Sequence, residues 1–218
     1  MVAPKVSSLA VRYLSKKDPV LARLIERVGP YRLVPKPTSS VFAALAEAIV
    51  YQQLHAKAAA SIFARVCQLF PRPSAPSARA LPNISDEALR AAGLSRMKLL
   101  ALRDLGEKVN GGKLPRFSAL HSMSDEEIIE RLTTVRGIGP WTVHMLLMFR
   151  LGRPDVLPLD DFGVLKGFSL VFHESLPVTK RELEAHALRW QPYRSVASWY
   201  MWRALELEPR AVATKPKR

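Results

Sequence analysis

Leu132-Thr133-Thr134-Val135-Arg136-Gly137-Ile138-Gly139-Pro140-Trp141-Thr142-Val143 decides how this chain folds. An amphipathic helix ends here, a Gly-x-Gly turn follows, and Pro140 opens the next helix. Proline suits a first helical turn, because its missing N–H has no intrahelical partner there. Gly137 and Gly139 permit positive φ and carry no Cβ, so another backbone can come close. The N–H groups of such a turn, with the positive end of the second helix, can form an anion site suited to phosphate. Arg136 adds charge beside it. The same spacing also serves as an ordinary tight helix connection.

From Trp141 the next helix is apolar on nearly every face as far as Leu151, which marks it as buried. Gly152-Arg153-Pro154-Asp155-Val156-Leu157-Pro158-Leu159-Asp160-Asp161-Phe162 follows, and then a helix with Val164, Leu165 and Phe168. Two adjacent carboxylates thus stand at a helix start. Capping accounts for one, since Asp at an N-cap stabilises a helix by roughly 0.5–2 kcal/mol. The other is open to a chemical role.

Upstream and downstream, helical periodicity dominates. Val20, Leu21, Leu24, Ile25 and Val28 form a stripe after Asp18-Pro19 that Gly29-Pro30 closes. Ser39 or Ser40 can cap a helix with Phe42, Leu45 and Ile49 on one face. Further helices are expected near 56–70, 85–92, 96–110, 124–134, 140–151, 161–172, 179–189 and 194–206. Residues 71–76 form a loop, and strand signals are few. The chain reads as all-α: a helical bundle of two lobes with a central cleft and a hairpin-linked helix pair at about 124–151. A core of 18–208 is flanked by a basic arm, 1–17, and a flexible basic tail, 209–218.

The 218 residues carry 33 Lys+Arg against 19 Asp+Glu, a net charge of +14. Such an excess points to a polyanionic partner, nucleic acid before membrane. The charge is uneven: no acid lies between Glu47 and Asp86, and none between Glu130 and Asp155. No apolar run approaches the length of a membrane span. Cys67 is the one cysteine, which excludes a disulfide framework, a multi-cysteine zinc site and a four-cysteine iron–sulfur cluster.

The run from Val135 to Gly163 resembles the signature of the helix-hairpin-helix DNA glycosylase superfamily, and looks closest to the alkylated-purine (3-methyladenine type II) glycosylases. The resemblance extends to Asp18-Pro19…Gly29-Pro30, to Ala48-Ile49-Val50-Tyr51-Gln52-Gln53-Leu54-His55, to Ala92-Gly93-Leu94-Ser95…Lys98, and to Trp190-Gln191-Pro192-Tyr193-Arg194-Ser195. It covers roughly 15–208. It implies an enzyme that extrudes a damaged nucleotide from duplex DNA into a pocket. Phosphate is then gripped by Arg136, Gly137, Gly139 and Thr142 at the hairpin, where main-chain carbonyls can also hold Na⁺ or K⁺. Gln53 fills the vacated stack, with Leu54 as the alternative, and His55 and Lys57 touch the DNA nearby. From the residues alone, Gln52-Gln53 reads first as a polar helix end that satisfies backbone groups, and His55 as an ordinary surface residue.

Trp141, Met145, Trp190 and Tyr193 are the pocket candidates the resemblance implies, whereas Met148 and Tyr200 read as core. Electron-rich rings attract a cationic alkylpurine by about 0.5–2 kcal/mol per contact. Asp161 matches the family's catalytic aspartate, which stabilises the oxocarbenium-like sugar as the glycosidic bond breaks. Asp160 is left as the helix cap. Bifunctional members carry a nucleophilic lysine where Trp141 stands, and Lys166 reads as a surface or phosphate contact, so no strand cleavage is expected. A side-chain metal site and an organic cofactor are not expected. The partner is double-stranded DNA with alkylated bases, the state monomeric, and the compartment cytoplasm or nucleoid in a bacterium and nucleus in a eukaryote. Two other readings stay open: a non-catalytic DNA-gripping module, and a metal hydrolase built on Asp160 and Asp161.

Overall fold

A computed structural model describes residues 4–36, 38, 40–172 and 178–207. Eleven α-helices run through them: α1 (Pro4–Lys17), α2 (Pro19–Val28), α3 (Val41–Tyr51), α4 (Ala56–Gln68), α5 (Asp86–Ala91), α6 (Arg96–Asn110), α7 (Asp125–Leu132), α8 (Pro140–Leu146), α9 (Phe162–Phe172), α10 (Lys180–Ala187) and α11 (Arg194–Leu207). No strand occurs among the described residues, and no helix there is long and apolar enough to cross a membrane. The chain divides into two compact units, Pro35–Leu151 and a unit formed by both chain ends, Met1–Val34 with Gly152–Arg218.

The helix starts follow the sequence closely because caps are local chemistry. Ser40, Ser85, Ser95, Ser124 and Thr179 each accept a hydrogen bond from the third backbone N–H of their helix. Ser124/Glu127 and Thr179/Glu182 complete reciprocal capping boxes. Gly29 ends α2 at φ 83°, a conformation that favours glycine. The helix expected over 140–151 differs in its second half. It widens after Leu146 into a π-turn, Leu147–Leu151, and the Phe149 carbonyl there accepts the Lys36 N–H at 2.9 Å.

In the Pro35–Leu151 unit, α3 is the central element, packed on α4, α6 and α8. Phe42, Leu45 and Ile49 on its apolar face are buried as their spacing predicts, together with Leu102, Leu105, Leu132 and Val143.

In the other unit, α9 and α11 form the main pair, with α1, α2 and α10 against them. Gly167 is the point of closest approach: a Cβ built there would lie 2.1 Å from the Met201 carbonyl oxygen. Of the basic arm expected over 1–17, residues 4–17 form α1, whose Ala10 and Leu14 are fully buried. Its Lys16 and Lys17 stand in the last turn, where cations complement the helix dipole. The short apolar i, i+4 stripe was masked by the charge around it, and the 17/18 boundary falls inside a unit. The tail 209–218 lies outside the described residues.

Asp18 organises this unit. It is 1% exposed, and its Oδ1 accepts the Val20 and Leu21 N–H groups at 3.1 Å each. Its Oδ2 bonds His186 Nε2 at 2.7 Å and accepts the Trp190 Nε1–H at 2.9 Å. Burial pushes the carboxyl up. The hydrogen bonds of His186, Trp190 and Leu21, with the charge of His186, outweigh that and hold it at about 2.

Candidate functional site: hairpin, turn and buried carboxylate

The turn after α3 and the hairpin before α8 are tied together within the Pro35–Leu151 unit. The Gln52 Nε2 amide donates to the Gly137 carbonyl at 2.8 Å. Lys98 donates from Nζ to the Val50 and Gln52 carbonyls at 2.7 and 2.8 Å, and burial pushes its ammonium down. On the hairpin side, Asp104 Oδ2 accepts the Arg136 N–H at 2.7 Å and its Oδ1 pairs with Lys108. Burial pushes the Asp104 carboxyl up, but these bonds and charges outweigh it and hold it below the usual carboxylate range. Gln52 is thus a structural tie, while its neighbour is left outward.

That neighbour, Gln53, is exposed and has φ 55°. Among the described non-glycine residues it alone has positive φ. A left-handed conformation in an ordinary residue costs roughly 1–2 kcal/mol and is retained where the surroundings impose it. Leu54, His55 and Lys57 continue the exposed stretch into α4. Leu54 is a large apolar side chain 39% exposed.

Beside the turn lies a cavity of about 420 Å³, lined by Ala48, Tyr51, Gln52, Gln53, Leu54, Trp141, Thr142 and Met145. Sequence reading selected five of these eight: Gln53, Leu54, Trp141, Thr142 and Met145. No charged side chain lines it, and its size is within the range of small-ligand pockets, about 300–1,000 Å³. Trp141 is 39% exposed at this cavity although it sits on a largely buried helix. Thr142 corrects an expectation. The residue is 4% exposed and lines the cavity, so its side chain packs inward and does not stand out at the hairpin surface.

At the hairpin, Gly137 has φ 75°, as the motif requires. Gly139 does not: it is the N-cap of α8 at φ −104°, ψ 174°, extended backbone open to any residue. Nothing lies within 4 Å of a Cβ built at Gly139, so neither backbone strain nor protein packing requires glycine there. Arg136 and Gly137 are exposed.

Asp161, Trp190 and Tyr193 belong to the other unit. Asp161 is buried, 8% exposed. Its Oδ1 accepts the Val164 N–H and the Trp202 Nε1–H, both at 2.8 Å. The cap of α9 is therefore Asp161, and not Asp160 as expected. Asp160 is exposed and paired with Lys180. The cap and the residue expected to carry the chemistry are one carboxylate. The loop before it is fixed to the start of α11: Asp155 clamps Arg194 through Oδ1 to Nε at 2.8 Å and Oδ2 to Nη2 at 2.9 Å. Ser195 Oγ donates to the Arg153 carbonyl at 2.7 Å and accepts the Val156 N–H at 2.9 Å.

Trp190 is a second correction. It is fully buried, its ring lies against Phe168, Phe172 and His186, and its N–H is given to Asp18. No face remains for a base. Tyr193, three residues on, is half-buried with its ring edge-on to Tyr13. Met148 and Tyr200 are buried core, as read, and Lys166 is exposed. Sequence reasoning missed Lys98, Asp104 and Trp202. Apart from the i,i+4 pairing of Asp104 with Lys108, their partners are main-chain groups or a side chain far along the chain, which leave no local pattern.

Two helices joined by a glycine hairpin, with an uncharged aromatic cavity beside them, make a helix-hairpin-helix arrangement. The chain belongs to the HhH-GPD superfamily of base excision DNA repair proteins, whose profile matches residues 46–192. It is 34% identical over 211 residues to DNA-3-methyladenine glycosylase 1 of Schizosaccharomyces pombe, covering 94% of this chain and 91% of that protein. A solved Schizosaccharomyces pombe 3-methyladenine DNA glycosylase in complex with abasic DNA superposes with a TM-score of 0.83 at 35% identity, covering 91% of this chain and 97% of the other. A DNA-3-methyladenine glycosidase from Bacillus halodurans gives 0.81 at 38% identity, with 89% and 88% covered.

Proposed function

We propose that this protein is a monofunctional DNA glycosylase that flips alkylated, cationic purines such as 3-methyladenine or 7-methylguanine out of duplex DNA and excises them in base excision repair, leaving an abasic site. The observation that carries this reading is the cavity that gathers Gln53, Leu54, Trp141 and Met145 beside the hairpin. The relatives named above support the substrate class. A cationic base is already a good leaving group, so its excision needs stacking surface and a carboxylate, not a general acid. Trp141 and Met145 supply the stacking surface. Asp161 stabilises the sugar as the bond breaks and orients the attacking water.

Arg136, Gly137 and Gly139 grip a phosphate, and the space open over Gly139 is what close approach of DNA requires. The hairpin's neutral main-chain oxygens fit a hard monovalent cation such as Na⁺ or K⁺, shared with that phosphate, rather than a transition metal. His55 and Lys57 lie along the DNA, and the protein acts as a monomer, in the nucleoid or nucleus.

Duplexes carrying one defined lesion test this directly. Free 3-methyladenine or 7-methylguanine should be released, and the strand should stay intact until alkali is added. Salt-sensitive binding with no base released at any lesion identifies a non-catalytic module instead, and nicking without alkali rejects the monofunctional reading.

Gln53 gives a sharper check. Gln53→Gly suits φ 55°, so thermal stability should hold or rise. The excision rate should fall about tenfold or more, because the side chain that fills the vacated stack no longer offsets the unstacking cost of extrusion, a few kcal/mol. An unchanged excision rate removes Gln53 from the filler role.

A further inference from the structure

A second hollow, of about 250 Å³, adjoins the cavity beside the Gln53 turn, and the two share Ala48, Tyr51, Thr142 and Met145 as walls. Both lie within the Pro35–Leu151 unit. Two helical stripes enclose the second hollow. On α3 these are Ala44, Glu47, Ala48 and Tyr51, at i, i+3, i+4 and i+7. Facing them, Thr142, Met145, Leu146 and Phe149 keep the same spacing from α8 into the π-turn, with Arg150 next in line. The two alanines leave the space that larger residues would fill.

Charge sets the second hollow apart from the first. Glu47 and Arg150 both line it and pair with each other, with side chains only 24% and 15% exposed. Burial, and then the Glu47 charge, push the Cys67 thiol up, so this carboxylate is felt inside the unit. Lys36, the remaining charged residue of the wall, is exposed. A largely buried ion pair adds little stability that a hydrophobic pair would not supply, and a carboxylate repels DNA phosphates. Stability and phosphate binding therefore leave Glu47 unexplained.

The chemistry of an alkylated base fits it. A methyl group on N3 or N7 occupies an acceptor nitrogen of the purine and leaves the N–H donors: the N6 amino group of adenine, or the N1–H and N2 amino group of guanine. The positive charge on the ring strengthens those donors. A carboxylate only accepts and a guanidinium only donates. Arg150 Nη2 bonds Glu47 Oε2, which leaves Oε1 for a base edge.

We propose that Glu47 reads the N–H edge of an extruded alkylpurine from this second hollow, and that Arg150 is the positioning residue that holds its carboxylate. This rests on the reading of the adjoining cavity as the base pocket. Stacking on Trp141 and Met145 is open to any purine, whereas a polar group that must be paired rejects a base without the matching donor.

The test compares two cationic bases in duplex DNA: 7-methylguanine, which carries the N1–H and N2 amino donors, and 7-methylpurine, which carries neither. The paired change Glu47→Leu with Arg150→Leu removes both charges, so none is left buried and alone, and the net charge stays at +14. Single-turnover excision of 7-methylguanine should fall about tenfold or more, the scale of a lost hydrogen bond to a charged group. Excision of 7-methylpurine, affinity for an abasic-analogue duplex and melting temperature should stay at wild-type values. Glu47→Gln keeps the shape of the wall and serves where the paired variant does not fold. Arg150 holds its amide oxygen, so its NH₂ meets the donors of the base and the same selective loss should appear. Equal losses on the two bases make the pair structural and overturn the inference, as does wild-type excision of 7-methylguanine by either variant. If the wild-type protein releases neither 7-methylguanine nor 3-methyladenine, the glycosylase reading falls and this inference with it. If it releases them and the variants keep pace, only this inference falls.

Discussion

Asp161→Asn should abolish base excision while leaving the protein folded and able to bind DNA. Both donors on Oδ1, the Val164 N–H and the Trp202 indole, can be accepted by an amide oxygen, and Asn is as good an N-cap as Asp. The helix start and its tie to α11 therefore survive. What disappears is the negative charge. Removing one preorganised electrostatic stabiliser typically costs about 10²–10³ in rate, and here the developing charge on the sugar has its stabiliser in one carboxylate. Single-turnover release of 7-methylguanine should drop by at least that factor, with binding to an abasic-analogue duplex within about twofold of wild type and no change in net salt dependence. Release at a rate near wild type removes Asp161 from the mechanism.

Asp18→Ala should be the most destabilising single change in the unit that carries Asp161. The carboxylate is buried and takes four hydrogen bonds, two from the first turn of α2 and two from His186 and Trp190. Alanine removes the cap, opens a small cavity and leaves the buried Trp190 N–H unpaired. Breaking a buried charged pair costs about 3–5 kcal/mol, and about 2–4 °C of melting temperature goes with each kcal/mol in a chain of this length. A fall of roughly 10 °C is expected by calorimetry, and a change below about 2 °C contradicts it.

The pH dependence has a definite sign. The folded-state carboxyl is held at about 2, below its ordinary 3.8. Its contribution of roughly 2 kcal/mol is complete above the ordinary value and is lost as pH falls towards 2. Wild type should lose that increment between pH 4 and 2, and the alanine variant should not.

Features whose causes are local could be read from sequence. Ser40, Ser85, Ser95 and Ser124 cap where their hydroxyls can reach a backbone N–H three residues on. Gly137 takes the positive φ that its residue type permits, whereas Gly139 does not. The cavity residues were found because Trp141 and Met145 share a helix face and the Gln53 turn came with a recognisable segment. Reading failed where the answer depended on which face of a helix meets what. Trp190 and Tyr193 lie three apart, and nothing in that spacing says that Trp190 turns inward to Asp18, a contact 172 residues away in sequence. The cap falls on Asp161 and not on Asp160 because a helix boundary placed from sequence is uncertain by a residue or two. Lys98 bonds main-chain carbonyls 46 and 48 residues away, which no side-chain pattern records.

The Gly167–Met201 contact has one more consequence. Because a Cβ at Gly167 would lie only 2.1 Å from a main-chain oxygen, glycine lets the backbones of α9 and α11 pack directly on each other, and the helix that Asp161 caps is held closely against α11. The torsional freedom of Asp161 is removed when the chain folds, and not again at each encounter with DNA. Excision should then show an activation entropy free of any ordering of this carboxylate, and its temperature dependence should follow the bond-breaking chemistry up to the point where the two helices part.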